Sequence, residues 1–405
     1  MKPIVRAGRM KPVHSDIRGP LFVEAMKRQK QGIDILKLNT GNPATFGFGL
    51  PDSIKNALME HMQDGVGYCD FKGMPQARQA ICDYETSKGI KGITPDDVFI
   101  GNGVSEVVSF ALTPLLNDGD EVLVPSPSYS LWGNSVYLED GKPVFYTCDE
   151  QANWYPDIQD IRSKITDKTK AIVIINPNNP TGVLYPKEIL LEIIQVAREF
   201  GLLIFADEIY DRLVMDGKQH ISLASLTEDV PVITLNGLSK SHCLCGYRCG
   251  WMVISGPREL TEDYRQGIIQ LTSLRLCANT MAQIVIPAAL DDMETPASMV
   301  RPGGRIYEQR EATVRELEKI DGLSFVKNDA AFYVFPKLDV KKFNITNDKQ
   351  FAHDLLDVTN ILLVPGSGFD WKDPDHFRIV MLPRADILSD AIRRMGTFLD
   401  GYKQK

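Results

Sequence analysis

The stretch AIVIINPNNPTG, residues 171–182, decides the fold class, because a short apolar run ends there in residues that favour turns. Five apolar residues in a row are typical of a buried strand, and the Asn and Pro residues behind them end it. Residues 188–200 then have the spacing of an amphipathic helix, and residues 202–205 form the next apolar run. This order of strand, helix and strand predicts a parallel crossover in an α/β protein.

The same alternation extends in both directions from this stretch. Further apolar runs before or after helical segments lie at residues 98–100, 121–124, 232–235, 250–254, 332–335, 361–364 and 377–381. We therefore predict a mostly parallel central sheet flanked by helices, with a smaller α/β domain beyond it. The Pro- and Gly-containing region 291–304 suggests a boundary, so we predict a large domain over 49–297 and a small domain over 298–405. Residues 1–48 are predicted to pack with the small domain.

Composition excludes several classes of protein. The 405 residues carry a net charge of −8, with 43% hydrophobic and 24% charged residues, which is ordinary for a globular chain and disfavours binding to a nucleic-acid backbone. Seven scattered Cys, an odd number, do not suggest a disulfide framework and fit a reducing cytoplasm. No apolar run approaches the roughly 20 residues that span a bilayer. We expect neither a membrane segment nor a secretory leader.

Polar residues follow the predicted strands, and in open α/β sheets ligands bind outside the carboxyl ends of strands. Lys240 lies in a Gly-containing loop after the run 232–235, and the run 202–205 ends in Ala206 and Asp207. Such a lysine is commonly solvated, and such an aspartate is commonly a turn former. In the functional alternative, Lys240 forms a Schiff base, which requires that burial or a nearby cation such as Arg248 lower its pKa. Asp207 would then be a carboxylate that keeps a ring nitrogen protonated.

Three other patterns carry weaker chemical signals. Residues 101–106, GNGVSE, follow a strand and open a helix, which favours an anion site, but they lack the Gly-x-Gly-x-x-Gly spacing of nucleotide binding. The C-x-C-x₃-C spacing of Cys243, Cys245 and Cys249 matches neither a zinc ribbon nor a redox pair, so no metal site is predicted. Arg378 lies in an apolar run, where it faces solvent or meets a carboxylate at two points.

Together these motifs resemble the pyridoxal-phosphate-dependent aminotransferases of class I, which have fold type I. The resemblance is carried by N-P-x-N-P-T-G at 176–182, D-E-x-Y at 207–210, S-K-x₇-R-x-G at 239–250, and Arg378 near the end of the chain. Each motif is weak alone, whereas all four in this order are specific. The resemblance covers nearly the whole chain.

The resemblance implies pyridoxal 5'-phosphate as the cofactor and gives each motif a role. Lys240 is expected to form the Schiff base with the cofactor and to act, once freed, as the base that moves a proton from the substrate Cα. Asp207 is expected to pair with the pyridine N–H, and Tyr210 and Asn179 to bond the ring oxygen. Arg378 is expected to hold the substrate α-carboxylate as a fork, a task that Lys performs poorly, with Gly41 and Asn179 beside it.

Further residues are implied around the ring and the phosphate of the cofactor. Tyr129 matches the aromatic residue that stacks on the ring. The phosphate is expected to be bound by Gly103, Val104, Ser105, Ser239 and Arg248. Tyr68 matches a tyrosine that reaches the phosphate from the neighbouring subunit, so a homodimer with active sites at its interface is implied.

Five more segments narrow the resemblance to the bacterial glutamate–pyruvate (alanine) aminotransferases within that family. They are DIRGP at 16–20, LNTGNP at 38–43, GYCD at 67–70, IGNGVSE at 100–106 and RPGGR at 301–305. The implied reaction is a reversible ping-pong exchange, through a pyridoxamine phosphate form, in which L-alanine and 2-oxoglutarate give pyruvate and L-glutamate. The sequence does not choose among Arg18, Arg301 and Arg305 for the side-chain carboxylate of glutamate.

Three alternatives remain open at this point. The enzyme can be an aminotransferase for another small or branched amino acid, because a hydrophobic pocket separates substrates that differ by a methylene by only about 1–3 kcal/mol. It can be a C–S β-lyase or an α-decarboxylase on the same scaffold. A cofactor-sensing transcription regulator is the non-enzymatic alternative, but the resemblance begins within the first 20 residues of an acidic chain, which leaves little room for a DNA-binding domain.

Overall fold

The computed structural model describes residues 2–405, and its central feature is an eight-stranded mixed sheet. Fifteen strands form in that part of the chain. In chain order they are β1 (Leu36–Lys37), β2 (Val98–Asn102), β3 (Glu121–Ser126), β4 (Lys142–Asp149), β5 (Tyr155–Pro156), β6 (Thr169–Ile175), β7 (Leu203–Asp207), β8 (Val232–Gly237), β9 (Cys249–Ser255), β10 (Leu323–Ser324), β11 (Tyr333–Val334), β12 (Lys337–Leu338), β13 (Ile361–Leu362), β14 (Val364–Pro365) and β15 (Phe377–Val380).

The central sheet has the order β2-β9-β8-β7-β6-β3-β4-β5. The pairs that join β8, β7, β6, β3 and β4 are all parallel. β9 runs antiparallel to both of its neighbours, β2 and β8, and β5 runs antiparallel to β4 at the edge. The predicted α/β fold with a mostly parallel central sheet is therefore confirmed.

The strands of this sheet are apolar along their length because helices cover both faces. One apolar cluster contains Ile172, Ile174 and Ile204, and the other contains Val173 and Phe205 from the same strands. Neighbouring residues on one strand thus enter opposite clusters, as the two-residue period of a strand requires. This double burial explains why the run at 171–175 is continuously apolar rather than alternating.

The helices that connect and cover the strands follow the predicted pattern. The crossover predicted over 188–200 is a helix over Lys187–Phe200, and it ends at Gly201, whose positive φ of 66° suits a glycine after a helix. The sixteen α-helices of residues 2–405 are α1 (Pro20–Lys30), α2 (Asp52–His61), α3 (Pro75–Ser87), α4 (Val104–Leu112), α5 (Leu131–Leu138), α6 (Ile158–Lys164), α7 (Lys187–Phe200), α8 (Leu238–Ser241), α9 (Arg258–Arg275), α10 (Thr280–Ile284), α11 (Ile286–Asp291), α12 (Glu294–Val300), α13 (Arg305–Leu317), α14 (Val340–Phe343), α15 (Asp348–Thr359) and α16 (Ala385–Leu399). Short 3₁₀ turns lie at Gly8–Met10, Pro43–Phe46, Met62–Gly65, Pro95–Asp97, Glu150–Ala152, Leu223–Leu226, Cys245–Tyr247 and Gly366–Phe369.

The last third of the chain forms three small sheets. β14, β15 and β11 make one antiparallel sheet, β10 pairs with β12, and β13 pairs in parallel with β1. The single run expected at 361–364 is therefore two strands with different partners. β1 lies within residues 1–48, and its partner β13 lies within residues 298–405. The packing of residues 1–48 with a small domain stays a prediction. The exact division at 48/49 and 297/298 stays a prediction.

The longest helix of residues 2–405 is α9 (Arg258–Arg275), with 18 residues. No single helix there has the length and apolar composition to cross a bilayer. Arg258–Arg275 and Thr280–Asp291 are long and apolar enough to cross a bilayer only when they are taken together, and they are bent by 119° relative to each other.

Candidate active site

The carboxyl ends of three adjacent parallel strands bring the predicted site residues to one edge of the sheet. Asp207 is the last residue of β7 and is in register with Ile175 of β6 and Leu235 of β8. The N–H of Asn176, just after β6, donates to the Asp207 carbonyl at 3.0 Å. Lys240 follows β8 on the short helix α8. Parallel pairing thus gathers the three central motifs, as the sequence predicted.

The Lys240 amine is partly buried and points at the N-terminal segment. Its Nζ donates to the Gly41 carbonyl at 3.0 Å and lies 4.0 Å from the Cys245 Sγ. Burial lowers the pKa of Lys240, but Tyr333, Cys245 and Tyr129 more than offset this and raise that pKa above its usual value. The lowered pKa expected from the sequence is therefore not found, because groups that can carry negative charge surround the amine.

Asp207 is a carboxylate in an apolar setting. It is 5% exposed, and its Oδ2 accepts a hydrogen bond from Trp132 Nε1 at 3.1 Å. Burial raises the pKa of Asp207 to about 6, although the hydrogen bond from Trp132 opposes the shift. Trp132 lies on α5, 75 residues away in sequence, and the sequence gave no local signal for it. The pair is suited to hold a cationic ring nitrogen, since a cation would relieve the cost of the buried charge.

Tyr210 is joined to a tyrosine that sequence reasoning missed. The two hydroxyl oxygens of Tyr210 and Tyr333 are 2.9 Å apart, and both side chains are buried. Burial raises the pKa of Tyr210 well above its usual value, so its hydroxyl is a proton donor at neutral pH. Gly41 lies against the same pair, because a Cβ there would be 2.3 Å from the Tyr333 Oη. The only feature of the sequence that could have indicated Tyr333 is its place in the apolar run 332–335.

Arg378 is a buried cation without a carboxylate. It is 1% exposed, and within residues 2–405 no acidic side chain pairs with it. Its Nη1 donates to Asn179 Oδ1 at 2.9 Å, its Nη2 donates to the Asn39 carbonyl, and its Nε has no partner. The guanidinium packs on the rings of Tyr333 and Phe369, each 4.6 Å from its centre. Burial lowers the pKa of Arg378. Such a group is suited to bind an anion.

A second anion-binding arrangement lies at the start of α4. Gly103 precedes this nine-residue helix with a φ of 86°, and a Cβ on it would lie 2.4 Å from Arg248 Nη2. The first N–H groups of a helix have no partner within it, so those of Val104 and Ser105 are available to an anion. Arg248 is exposed and donates to the Cys245 carbonyl at 3.0 Å. Ser239 is partly exposed on α8, one residue before Lys240.

The two predicted tyrosines at the cofactor differ in their surroundings. Tyr129 follows β3 and is 36% exposed. It lies close enough to Lys240 and Arg378 to favour a higher pKa in both side chains. Tyr68 is 83% exposed and makes no side-chain hydrogen bond within residues 2–405. The single chain thus brings Tyr129 to the site and leaves Tyr68 outside it.

The surroundings of Arg18, Arg301 and Arg305 do not single out one of them to bind the side-chain carboxylate of glutamate. Arg18 is exposed, and Arg301 pairs with Glu294 at the surface at 2.7 Å. Arg305 packs on the Phe48 ring at 3.9 Å and donates to the carbonyls of Phe46 and Gly47. The structure therefore leaves this choice where the sequence left it.

The three cysteines after Lys240 do not form a cluster of ligands. Within residues 2–405, neither group of side chains close enough to hold a metal contains a Cys. Cys243 Sγ faces Met299 Sδ at 3.9 Å, and burial raises the pKa of Cys243 and of Cys249 to about 12. Both thiols are therefore unreactive at neutral pH. Cys245 alone of the three contacts the Lys240 amine.

Comparison with known protein families identifies the family to which the chain belongs. The family of class I and II aminotransferases matches residues 33–392, and the chain belongs to this family. Among its relatives, the glutamate-pyruvate aminotransferase AlaA of Haemophilus influenzae is 49% identical over 100% of both chains. An alanine aminotransferase of Mycobacterium tuberculosis is 45% identical, over 100% of this chain and 94% of that protein.

Solved structures agree with this family membership. An aminotransferase from Escherichia coli superposes with a TM-score of 0.98 at 47% identity and covers 100% of both chains. The alanine aminotransferase from Pyrococcus furiosus has a TM-score of 0.92 at 40% identity and covers 98% of this chain and 99% of that chain.

Proposed function

We propose that this chain is a pyridoxal 5'-phosphate-dependent alanine aminotransferase that exchanges the amino group between L-alanine and 2-oxoglutarate, giving pyruvate and L-glutamate. The observation that supports the proposal most strongly is that Asp207 ends β7, Lys240 follows β8, and Arg378 of β15 donates to Asn179 after β6. The chain is also 49% identical over its length to a glutamate-pyruvate aminotransferase. The amine, the acid and the buried cation are the three groups that the transfer of an amino group requires.

The residues present fit the cofactor. Asp207 is a buried carboxyl whose pKa is raised to about 6 by burial, and a protonated pyridine nitrogen would stabilise its charged form. At Gly103 a Cβ would meet Arg248 at 2.4 Å, so the helix start and the guanidinium approach each other closely enough to share a phosphate. When bound, the cofactor supplies a carbonyl carbon that bonds to amines and a ring that accepts electrons.

Each proposed cofactor contact uses a side chain or backbone group described above. Lys240 would hold the cofactor covalently through Nζ, and Asp207, oriented by Trp132, would keep the ring nitrogen protonated. Tyr210 and Asn179 would donate to the ring oxygen, with Tyr333 fixing the Tyr210 hydroxyl. The remaining contacts are proposed for Tyr129 on the ring face and for Gly103, Val104, Ser105, Ser239 and Arg248 at the phosphate.

The substrate side is proposed to centre on Arg378. Its free Nε and one terminal nitrogen would bind the two oxygens of the α-carboxylate of the amino acid as a fork, with Asn179 and the Gly41 backbone beside it. A carboxylate fixed there would place the Cα of the substrate near Lys240, whose freed amine would carry the proton away from and back to that carbon. The aromatic rings around Arg378 would exclude water from the ion pair.

The arrangement of the chain agrees with a site between segments. Hydrogen bonds join Lys240 to Gly41, Tyr210 to Tyr333, and Arg378 to Asn179, so each pair links two of the proposed segments 1–48, 49–297 and 298–405. We propose that Tyr68 of a second copy completes the phosphate site in a homodimer. The exposure of Tyr68 in the single chain supports this. The seven free cysteines support a cytoplasmic location.

The test is a visible absorbance spectrum of the full-length protein with bound cofactor, before and after a single L-amino acid is added. L-Alanine and L-glutamate are each expected to convert the cofactor band, and pyruvate or 2-oxoglutarate is expected to restore it. A band that branched or aromatic amino acids convert, but alanine does not, would contradict the substrate assignment. Release of ammonia without any need for an oxo acid would instead identify a β-lyase.

A further inference from the structure

A second group of buried charges lies next to the site residues but outside the site. Lys88 follows the C-terminus of helix α3, and its side chain is 12% exposed. Its Nζ lies 2.7 Å from Glu85 Oε2, 2.8 Å from Glu208 Oε2 and 3.2 Å from Asp211 Oδ2. Those three carboxylates are at most 3% exposed. The end of a helix adds unpaired carbonyls that also favour a cation.

The ammonium of Lys88 takes the place that a metal ion would otherwise fill. Atoms of Glu208, Asp211 and His220 lie within 4.8 Å of one another, close enough to hold a metal. However, Lys88 Nζ already contacts Glu208 Oε2 and Asp211 Oδ2. The group is therefore a carboxylate cluster with a built-in counter-ion rather than a vacant metal site.

Two of these carboxylates, Glu208 and Asp211, lie on the chain segment that begins with the site residue Asp207. Glu208 is the neighbour of Asp207, and its Oε1 accepts from Ser222 Oγ at 2.8 Å. Asp211 Oδ2 accepts from Asn236 Nδ2 at 2.7 Å. The loop that follows β7 is thus anchored on the side away from the Asp207 carboxylate.

The same contacts reach the last residues of β8 and the residue that follows β6. Asn236 also binds the N–H of Gly237 through its Oδ1, and Gly237 is the residue before the helix α8 that carries Lys240. Burial lowers the pKa of His220, so its ring is neutral, and its Nε2 lies 3.1 Å from the Asn176 carbonyl. His220 Nε2 also lies 3.9 Å from Glu208 Oε2. The cluster therefore touches the ends of all three strands that carry the central motifs.

We propose that Lys88 is a positioning residue: through Glu208 and Asp211 its ammonium ties the loop after β7 to the end of β8 and to the residue after β6, and it neutralises Glu208 beside Asp207. Lys88 touches neither substrate nor cofactor. The roles of Asp207 and Lys240 that it supports rest on the function proposed above.

The electrostatics agree with this role. Burial raises the pKa of Asp207, and the charge of Glu208 adds to that shift. Burial likewise raises the pKa of Glu85 to about 7, while Lys88 opposes the shift. The other charged or titratable groups around the ammonium are Asp211, Tyr84 and His220, with Arg212 over the Tyr84 ring at 4.3 Å. Without Lys88, therefore, Glu85 and Asp211 would bind protons more tightly, and the charge of Glu208 would act on Asp207 with no ammonium beside it.

Two tryptophan side chains report on these carboxyls independently of activity. Trp132 Nε1 donates to Asp207, and Trp251 Nε1 donates to Glu85 at 3.2 Å. The indole N–H signals of the full-length, cofactor-free protein can be followed by ¹⁵N NMR across pH and assigned with Trp132→Phe and Trp251→Phe. The wild-type signals are expected to titrate near pH 6 for Trp132 and near pH 7 for Trp251.

The test variant is Lys88→Met, and its matched control is Lys91→Met, which removes a lysine paired only with Glu228 at the surface. In Lys88→Met the Trp251 midpoint is expected to rise by about 1 pH unit or more, and the Trp132 midpoint by less. Cofactor release from the loaded enzyme is expected to be about tenfold faster, the size typical of coupling between groups in one network. Lys91→Met is expected to match the wild type in all three.

A third variant gives the opposite sign. Glu208→Gln removes the charge that raises the Asp207 pKa, so the Trp132 midpoint is expected to fall. If Lys88→Met folds with wild-type midpoints and release rate, even with a lower melting temperature, the proposal is wrong. If Lys88→Met does not fold, Lys88→Gln, which keeps a hydrogen-bond donor but no charge, replaces it, and an unshifted Trp251 midpoint in Lys88→Gln overturns the proposal. A wild-type protein that takes up no cofactor would refute the proposed function, while the indole titrations would still decide the role of Lys88.

Discussion

Two sets of buried charges meet at the carboxyl end of the sheet, and they are treated in opposite ways. At the site, Lys240 bonds a carbonyl, Asp207 bonds an indole, and Arg378 bonds an amide and a carbonyl. None of the three has an ion-pair partner within residues 2–405. In the adjacent cluster, Lys88 contacts three carboxylates at once.

The difference separates charges kept for a ligand from charges used by the fold. A buried ion without a counter-ion costs free energy, so its persistence indicates a function rather than a contribution to stability. A buried ion whose partners are all in place is costly mainly to disrupt. Mutation in the site is therefore expected to change activity with little effect on stability, whereas mutation of the Lys88 cluster is expected to lower stability in addition to the positioning effects proposed above.

The largest effect is expected from removing the site amine. Lys240→Ala is expected to slow amino-group transfer by more than about 10⁴-fold, because one side chain supplies both the covalent attachment and the proton transfer. Its melting temperature without cofactor is expected to stay near that of the wild type, since Lys240 has no ion pair to lose. Steady-state kinetics with alanine and 2-oxoglutarate measure the first effect, and near wild-type turnover would contradict the proposed mechanism.

The buried cations Lys88 and Arg378 are expected to contribute very differently to the free energy of unfolding. Lys88→Met is expected to lower the free energy of unfolding by about 3–5 kcal/mol, because it leaves buried carboxylates without a counter-ion. Arg378→Met is expected to change it by less than about 1 kcal/mol, because lost hydrogen bonds offset the relief of a buried unpaired charge. Urea unfolding of the cofactor-free proteins measures both. Equal losses would remove the distinction between the two regions.

A pH dependence sharpens the comparison on the acidic side. The pKa of Asp207 is about 6 in the folded chain and about 3.9 in an unfolded one, so the folded state binds more protons between these values. Stability contributed by this group is thus lost as the pH rises through that window, by about 3 kcal/mol in all. Asp207→Asn is expected to stabilise the cofactor-free chain at pH 8 and to change little near pH 4. Thermal unfolding at both pH values tests this, and a gain at both would contradict it.

The smallest effect is expected where the site uses backbone rather than buried charge. Gly103→Ala places a Cβ at a φ of 86° and 2.4 Å from Arg248 Nη2. The strain of a non-glycine residue there is about 1 kcal/mol, and displacement of Arg248 is expected to weaken cofactor retention about tenfold. Dialysis followed by absorbance of the bound cofactor measures retention. Gly246→Ala, where a Cβ meets open space, is the matched control, and it lies in the 3₁₀ turn just before Arg248.

Much of this protein could be predicted because the relevant patterns are local. Apolar runs ended by Asn, Pro, Asp or Gly marked the strands, and the position of a residue after such a run marked Asp207 and Lys240. The sequence alone therefore determined the α/β class, the parallel crossover and the edge at which the site lies. The split of 361–364 into two strands was missed, since pairing with two different partners leaves no trace in a four-residue apolar run.

Only the tertiary structure decided which side chains meet. The Trp132–Asp207, Tyr210–Tyr333 and Asn179–Arg378 hydrogen bonds span 75, 123 and 199 residues. It also decided that Lys240 has a raised pKa and that Lys88, an ordinary residue after a helix in the sequence, is a shared counter-ion. The physical reason is that strand and helix patterns follow from neighbouring residues, whereas burial, charge pairing and pKa depend on the groups that packing brings together from distant parts of the chain.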